Sequence, residues 1–181
     1  MPSAAHKVSM LRELTARFAT AGRVEAIILR PGRDEIALSV AEAVALPGAG
    51  LQGDRRSAHT RAPGGAGSKR ELTLIQAEHL VSLAGWVGVD RIDPRPLRRN
   101  LVVSGLNLLS MRSPLSDRAL IWRIGADVLI EVTGPCDPCS RMEQALGPGG
   151  YNAMRGVGGV TARILRGGRI KVGDAVSLDE G

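Results

Sequence analysis

A mainly β, barrel-like domain with a few short helices and an N-terminal helical extension is the fold that this 181-residue sequence predicts. Two observations carry the prediction. Short runs of strand composition recur from residue 23 to residue 178, punctuated by Gly, Pro and Asp, and only two helical patterns interrupt them, which disfavours a doubly wound sheet. The length and the 44% hydrophobic content are enough for one core, so the expected organisation is an extension over 1–21 and a single domain over 22–181.

Met10, Leu11, Leu14 and Phe18 fall at helical spacing and predict an amphipathic helix ending near Gly22. Strands follow at Arg23–Leu29, Ile36–Val40, Ala43–Leu46, Leu72–Ile75, Asn100–Val103, Ala119–Ile124 and Val128–Val132. Two helices separate them: Gln76–Ala84, with Ala77, Leu80, Val81 and Ala84 on one face, and Arg141–Leu146. The tail reads as a hairpin, Val160–Leu165 and Arg169–Val172 about the Gly167-Gly168 pair, with a last strand at Ala175–Leu178. Residues 50–71 are polar, Gly-rich and basic, which predicts a long substrate-facing loop.

The formal net charge is +6, and lysine contributes only Lys7, Lys69 and Lys171. A surplus of forked guanidinium groups suits phosphate or carboxylate ligands, although the Ala, Gly and Arg richness is also what a GC-biased coding sequence would give. Nucleic acid is disfavoured as a partner, because Phe18, Trp86, Trp122 and Tyr151 are the only aromatics and none sits in a basic stacking motif. No apolar run approaches the roughly 20 residues of a membrane span. Neither a secretory h-region nor a disulfide framework is visible, so the expected location is the cytoplasm.

PGGAGSKR misses the phosphate-loop spacing, since Ser68 stands between Gly67 and Lys69, and GVGGVTAR has Thr161 where a dinucleotide fingerprint needs a third small residue. Both cysteines lie in VTGPCDPCSRME, at Cys136 and Cys139. Zinc lacks ligands, because His6, His59 and His79 are not paired at ligand spacing. A thioredoxin-like redox pair lacks the surrounding βαβ pattern. Ser140 and Glu143 form an S-x-x-E capping box, which places Cys139 just before a helix N-terminus and beside Arg141, where a thiolate is stabilised. Two readings of Cys139 therefore stand: an activated nucleophile, and a buried inert cysteine in a turn shaped by Pro135 and Pro138.

Five blocks in order, GLQGDRR, ELTLIQAEHL, RRNLVVSGLNL, IGADVLIEVTGPCDPCSRME and GGVTARILRGGRIKVGD, resemble the MOSC domain, named for the C-terminus of molybdenum cofactor sulfurases. The resemblance runs from about Arg23 to Leu178 and implies a MOSC-like β-barrel, as in stand-alone bacterial members. It also implies that Cys139 carries sulfur or contacts the metal of a molybdenum cofactor (molybdopterin). Gly53, Asp54 and Arg55 match the family's Gly-Asp-Arg block, and Arg98 and Asn100 its basic-x-Asn block. Two positions depart: Arg56 stands where the family often has His, with His59 nearby to take its place, and Arg99 where it often has Glu. A molybdopterin-type ligand offers a phosphate to arginine and a soft metal to thiolate, and Arg55, Arg98 and Arg155 are the candidates for the anionic end.

The resemblance thus implies a protein that binds molybdenum cofactor or carries its sulfur, with Cys139 as persulfide-bearing nucleophile or metal ligand and reduction of N-hydroxylated compounds as a related activity. Pyridoxal phosphate enters only through a partner cysteine desulfurase, and a molybdoenzyme is the other implied partner. Two readings from other classes compete: a non-catalytic module binding an anion or nucleic acid through the basic loop, and a thiol–disulfide exchange protein cycling Cys136 with Cys139. Size and surface suit a monomer or a homodimer.

Overall fold

The computed structural model describes residues 4–57 and 68–180. Helix α1 (Ala4–Leu14) leads into strand β1 (Gly22–Leu29), followed by β2 (Leu38–Val40), β3 (Glu42–Leu46), β4 (Gly50–Leu51) and β5 (Leu72–Gln76). Helix α2 (Ala77–Val87) then precedes β6 (Leu101–Ser104), β7 (Ile121–Ile124) and β8 (Val128–Pro135). Two short helices, α3 (Arg141–Leu146) and α4 (Gly150–Ala153), lead to β9 (Val160–Arg166), β10 (Gly168–Lys171) and β11 (Ala175–Leu178).

The main sheet runs β11-β7-β8-β9-β5-β6-β1-β2 and closes where β1 also pairs with β11, through Gly22 opposite Val176 and Arg23 opposite Ala175. Seven strands thus form a barrel, and β2 continues outward from β1. Neighbours are antiparallel except β5 and β6, whose parallel pairing is made by the crossover through α2. A small sheet, β10-β3-β4, lies beside the barrel.

Strand periodicity explains why the core has two parts. Ile27, Leu74, Leu101 and Val103 point into the barrel with Trp122, Ile130 and Ile164. Their chain neighbours Ile28, Ile75 and Val102 point outward and meet Leu83, Leu97, Met142 and Met154 from the covering helices and turns. The wall made by β1, β5 and β6 is therefore apolar on both faces. Trp122 donates its indole N–H to the Met111 carbonyl at 2.9 Å, satisfying its one polar atom inside the barrel.

Three local expectations need correction. Helix α1 ends at Leu14 instead of near Gly22, and Met10, Leu11 and Leu14 stay exposed; Phe18, beyond the helix, docks edge-on against Trp122 with ring centroids 4.6 Å apart. In α2 the buried face is Leu83 and Ala84 with Leu80 beside them, whereas Val81 points to solvent. The tail is not a hairpin, because β9 pairs with β8 and β5 while β10 crosses to β3. A Cβ at Gly167 would come within 2.6 Å of the Ala45 carbonyl and 2.9 Å of Pro47, so this glycine permits a close chain crossing and does not build a primed turn.

Candidate functional site

The site is assembled around the residues between β8 and α3. Strand β8 shifts register against β9 between Val132 and Gly134, a bulge that re-aims the chain just before the cysteine segment. The Cys136 N–H then donates to the Gly159 carbonyl at 2.8 Å, extending the ladder by one residue. Gly158 and Gly159 are required by this approach: a Cβ on Gly158 would overlap the Cys136 carbonyl, and one on Gly159 would overlap the Leu74 carbonyl.

Arg99 locks the segment from beneath. It is buried, and its guanidinium donates to the carbonyls of Gly158 (2.6 Å), Leu97 (2.8 Å) and Cys136 (2.9 Å). Burial pulls its pKa below the ordinary arginine value, opposed in part by electrostatic attraction to the nearby Cys136 and Cys139 side chains. Sequence reading registered Arg99 only as a departure from the family pattern, since nothing local distinguishes a buried arginine within PLRRN.

Arg98 stands in the left-handed region at φ 62°, and among the described residues it is the non-glycine residue with positive φ. Such a conformation is worth about 1–2 kcal/mol of strain. It is held between Leu97 and Asn100, both buried: the Asn100 N–H donates to the Thr73 hydroxyl at 3.1 Å and its side-chain amide to Asp54 at 3.1 Å. The conformation directs the guanidinium Nη1 to 3.7 Å from the Cys139 sulfur.

Cys139 is half-buried, and burial pushes its thiol up. The backbone N–H of Arg141, the Arg98 hydrogen bond and the charges of Arg98 and Arg99 outweigh that, so the net shift is downward, toward thiolate. The expected capping box is absent. Ser140 already has helical dihedrals and makes no side-chain cap, the Cys139 carbonyl accepts from Met142, and the Cys139 sulfur takes the Arg141 N–H that a cap side chain would take. Glu143 instead reaches forward to the backbone N–H groups of Gly149 and Tyr151, at 2.7 and 2.9 Å. Cys136 is buried, and its sulfur lies 3.7 Å from Nη2 of Arg70, so each thiol has an arginine of its own.

The Gly53-Asp54-Arg55 turn approaches from the other side. Gly53 has φ 83°, and the buried Asp54 carboxylate accepts from the backbone N–H groups of Arg30 and Arg56 and from Asn100. Asp54 and Asn100 thereby join the two motif blocks to each other, and Arg55 and Arg98 project from the joint. Both line a pocket of about 680 Å³ together with Arg30, Arg33, Arg95 and Arg141, and with Asp93 and Glu35. Arg30 and Arg33, which sequence reading did not single out, follow directly on β1. Arg155 is not brought to this pocket: it lines a separate depression with Asp137, Pro138, Tyr151 and Asn152. His59 lies outside the described residues.

A family model of the MOSC domain matches residues 61–177, about two thirds of the chain, with Arg98, Asn100 and Cys139 inside the match. The chain belongs to the MOSC domain family. Solved structures agree on the fold of this MOSC chain. It is similar to the YuaD protein from Bacillus subtilis, with a TM-score of 0.69 at 18% identity over 87% of this chain and 94% of that one. YiiM from Geobacillus stearothermophilus gives 0.66 at 19% identity, over 88% and 75% of the two chains, and YiiM from Escherichia coli 0.61 at 18%, over 88% and 70%. No curated protein matched the sequence. Among the described residues of this MOSC chain, no helix is long and apolar enough to cross a membrane, and no three His, Cys, Asp or Glu residues converge as a metal cluster.

Proposed function

We propose that this MOSC chain binds a molybdopterin-type cofactor, with the Cys139 thiolate as soft ligand to its metal and Arg30, Arg55 and Arg98 receiving its phosphate. The observation that carries this reading is the placement of Arg98, which lines the arginine pocket and reaches the Cys139 sulfur with the same guanidinium. A thiolate and an anion site therefore adjoin.

The residues present fit such a group. Cys139 is a single thiolate, with no second His, Cys or carboxylate cluster beside it among the described residues, so it suits a metal that arrives with most of its own ligands. The Nε–H of Arg30 is buried and has no hydrogen-bond partner, a donor available to an anion. When bound, the cofactor would supply two-electron redox chemistry at the metal. The chain's own contribution is to favour the thiolate form of Cys139, through the Arg141 N–H and Arg98, and to orient the ligand by its charged end.

A second reading, sulfur carriage, is favoured by the same thiolate. Cys139 would attack the terminal sulfur of a donor persulfide, forming its own persulfide and releasing the donor cysteine as thiolate. A pyridoxal-phosphate desulfurase would be the donor.

Both readings are separable by experiment. The purified chain is mixed with released molybdenum cofactor, gel-filtered, and assayed for retained metal and for pterin fluorescence. Wild type is expected to retain both, and Cys139→Ser to lose most of the metal. Equal metal retention by the two proteins, or none by either, would refute the cofactor reading. Peptide mass spectrometry after incubation with a desulfurase and cysteine tests the second reading, which requires a reductant-labile sulfur on Cys139 and none on Cys136.

A further inference from the structure

Neither metal ligation nor sulfur carriage by Cys139 calls on Cys136, the second thiol of the segment. Cys136 is 3% exposed, yet it belongs to neither of the two apolar clusters of the core. A structural cysteine packs as a small apolar group, whereas this sulfur has Nη2 of Arg70 at 3.7 Å. Arg70 is itself exposed, so a cation from the surface is turned in over the buried thiol.

The two cysteines share one setting. Both act electrostatically on the buried Arg99 guanidinium, Cys136 the more strongly. The Cys136 backbone is fixed by its N–H on the Gly159 carbonyl, at 2.8 Å, and by its own carbonyl, which accepts from Arg99 at 2.9 Å. The Cys139 carbonyl accepts from the Met142 N–H at 2.8 Å. Only Asp137 and Pro138 separate these anchored ends, and C-x-x-C is the spacing at which thiol oxidoreductases make and break a disulfide. The pair differs in access: Cys139 is half-buried and open to an incoming donor, and Cys136 is not. An accessible cysteine that is modified first, beside a second cysteine that resolves the modification, is a recurring arrangement in thiol chemistry.

Resting on the sulfur-carriage reading above, we infer that Cys136 is the resolving thiol that discharges a Cys139 persulfide as hydrogen sulfide. Cys136 Sγ attacks Cys139 Sγ and forms an intrachain disulfide, while the S–S bond of the persulfide breaks. The outer sulfur leaves with the electron pair of that bond and takes up the proton that Cys136 gives up. The Arg70 guanidinium stabilises negative charge on the attacking sulfur as its proton leaves. An external dithiol then restores both cysteines and is itself oxidised to a disulfide. Sulfur thus enters the site as sulfane sulfur and leaves as sulfide, so the reaction that consumes it is one that takes hydrosulfide, as a soft metal ion does.

The test uses the full chain loaded without reductant, in parallel with a desulfurase plus cysteine and with inorganic tetrasulfide, and then gel-filtered. Hydrogen sulfide is followed over time, and peptides are analysed by mass spectrometry without reduction. Wild type is expected to carry the added sulfur on Cys139 first. It then releases one hydrogen sulfide per persulfide as a Cys136–Cys139 disulfide appears, two hydrogen atoms lighter than the dithiol. Cys136→Ser is expected to keep the sulfur on Cys139 and to lose the release. Arg70→Gln, a surface substitution, is expected to slow the release. A persulfide that persists in wild type, a disulfide between two chains, or release that both substitutions leave unchanged overturns the inference while sulfur carriage stands. Loading by tetrasulfide but not by the desulfurase, followed by discharge, removes the carriage reading and supports the inference. Sulfur on Cys136, or loading by neither donor, refutes both.

Discussion

Arg99 brings a full charge into the protein and meets three carbonyl oxygens in place of a carboxylate. Its removal therefore leaves three buried acceptors unpaired, and Arg99→Gln is expected to lower stability by about 3 kcal/mol in a urea titration. Arg99→Lys keeps the charge, loses the fork and should fall between that variant and wild type. Arg98 makes the opposite prediction. Its left-handed backbone is strained, so Arg98→Gly is expected to be at least as stable as wild type in thermal unfolding while its Cys139 titrates at higher pH. A loss of stability there would show that the guanidinium serves the fold and not the thiol. At this scale the cysteine was singled out by its own chemistry, whereas the Gly-Asp-Arg turn and the Arg98-x-Asn100 pair were singled out only by their resemblance to the family's blocks. Arg30 and Arg33 were not: an arginine that turns into a pocket and one that faces solvent look identical in sequence, and only closure of the barrel separates them.

Among the elements, the α3–α4 pair is tied by Glu143, whose carboxylate caps the N–H groups of Gly149 and Tyr151. These two bonds hold it below the ordinary glutamate range. With a depressed folded-state value, its stabilising effect is present above the unfolded value of about 4.3 and is lost as pH falls through the folded value. Hydrogen exchange corrected for its intrinsic pH dependence should show Gly149 and Tyr151 protected at neutral pH and losing protection only as pH falls below the ordinary glutamate range. Persistence of that protection in Glu143→Ala would contradict the assignment. The S-x-x-E pattern was misread because the helix start is recognisable locally, whereas a second helix offering two better donors six and eight residues onward is not. The strands were readable from short runs of strand composition punctuated by Gly, Pro and Asp, with ends off by one to three residues, as where β8 runs on to Pro135, and with the short β4 falling inside the expected loop. The Gly167-Gly168 pair misled for a related reason, since its purpose is contact with Ala45 and Pro47, more than a hundred residues earlier.

For the whole molecule, pairing of β11 with the start of β1 closes the barrel, and the far end of β1, held by β2 and β6, leads into Arg30. A chain ending at Gly173 would leave β1 and β7 without their shared neighbour and expose Val24 and Ile124 to water. It is expected to lose cooperative unfolding by circular dichroism, and a sharp native-like transition would show that the barrel does not depend on closure. Fold class was visible in the sequence at this scale because strand composition and its Gly, Pro and Asp punctuation are properties of each short run alone. Strand order was not visible, since it depends on pairings such as β5 with β9 across nearly ninety residues. The central claim remains local: the Cys139 sulfur is held by Arg98, whose guanidinium also lines the arginine-rich pocket, and its thiol is shifted toward thiolate. The most direct measurement is the rate of Cys139 alkylation against pH, resolved from Cys136 by peptide mass spectrometry, in wild type and in Arg98→Gln. The account predicts a midpoint below the roughly 8.5 of a free cysteine and a rise toward it in Arg98→Gln. An ordinary midpoint in wild type, or one that Arg98→Gln leaves in place, would contradict it.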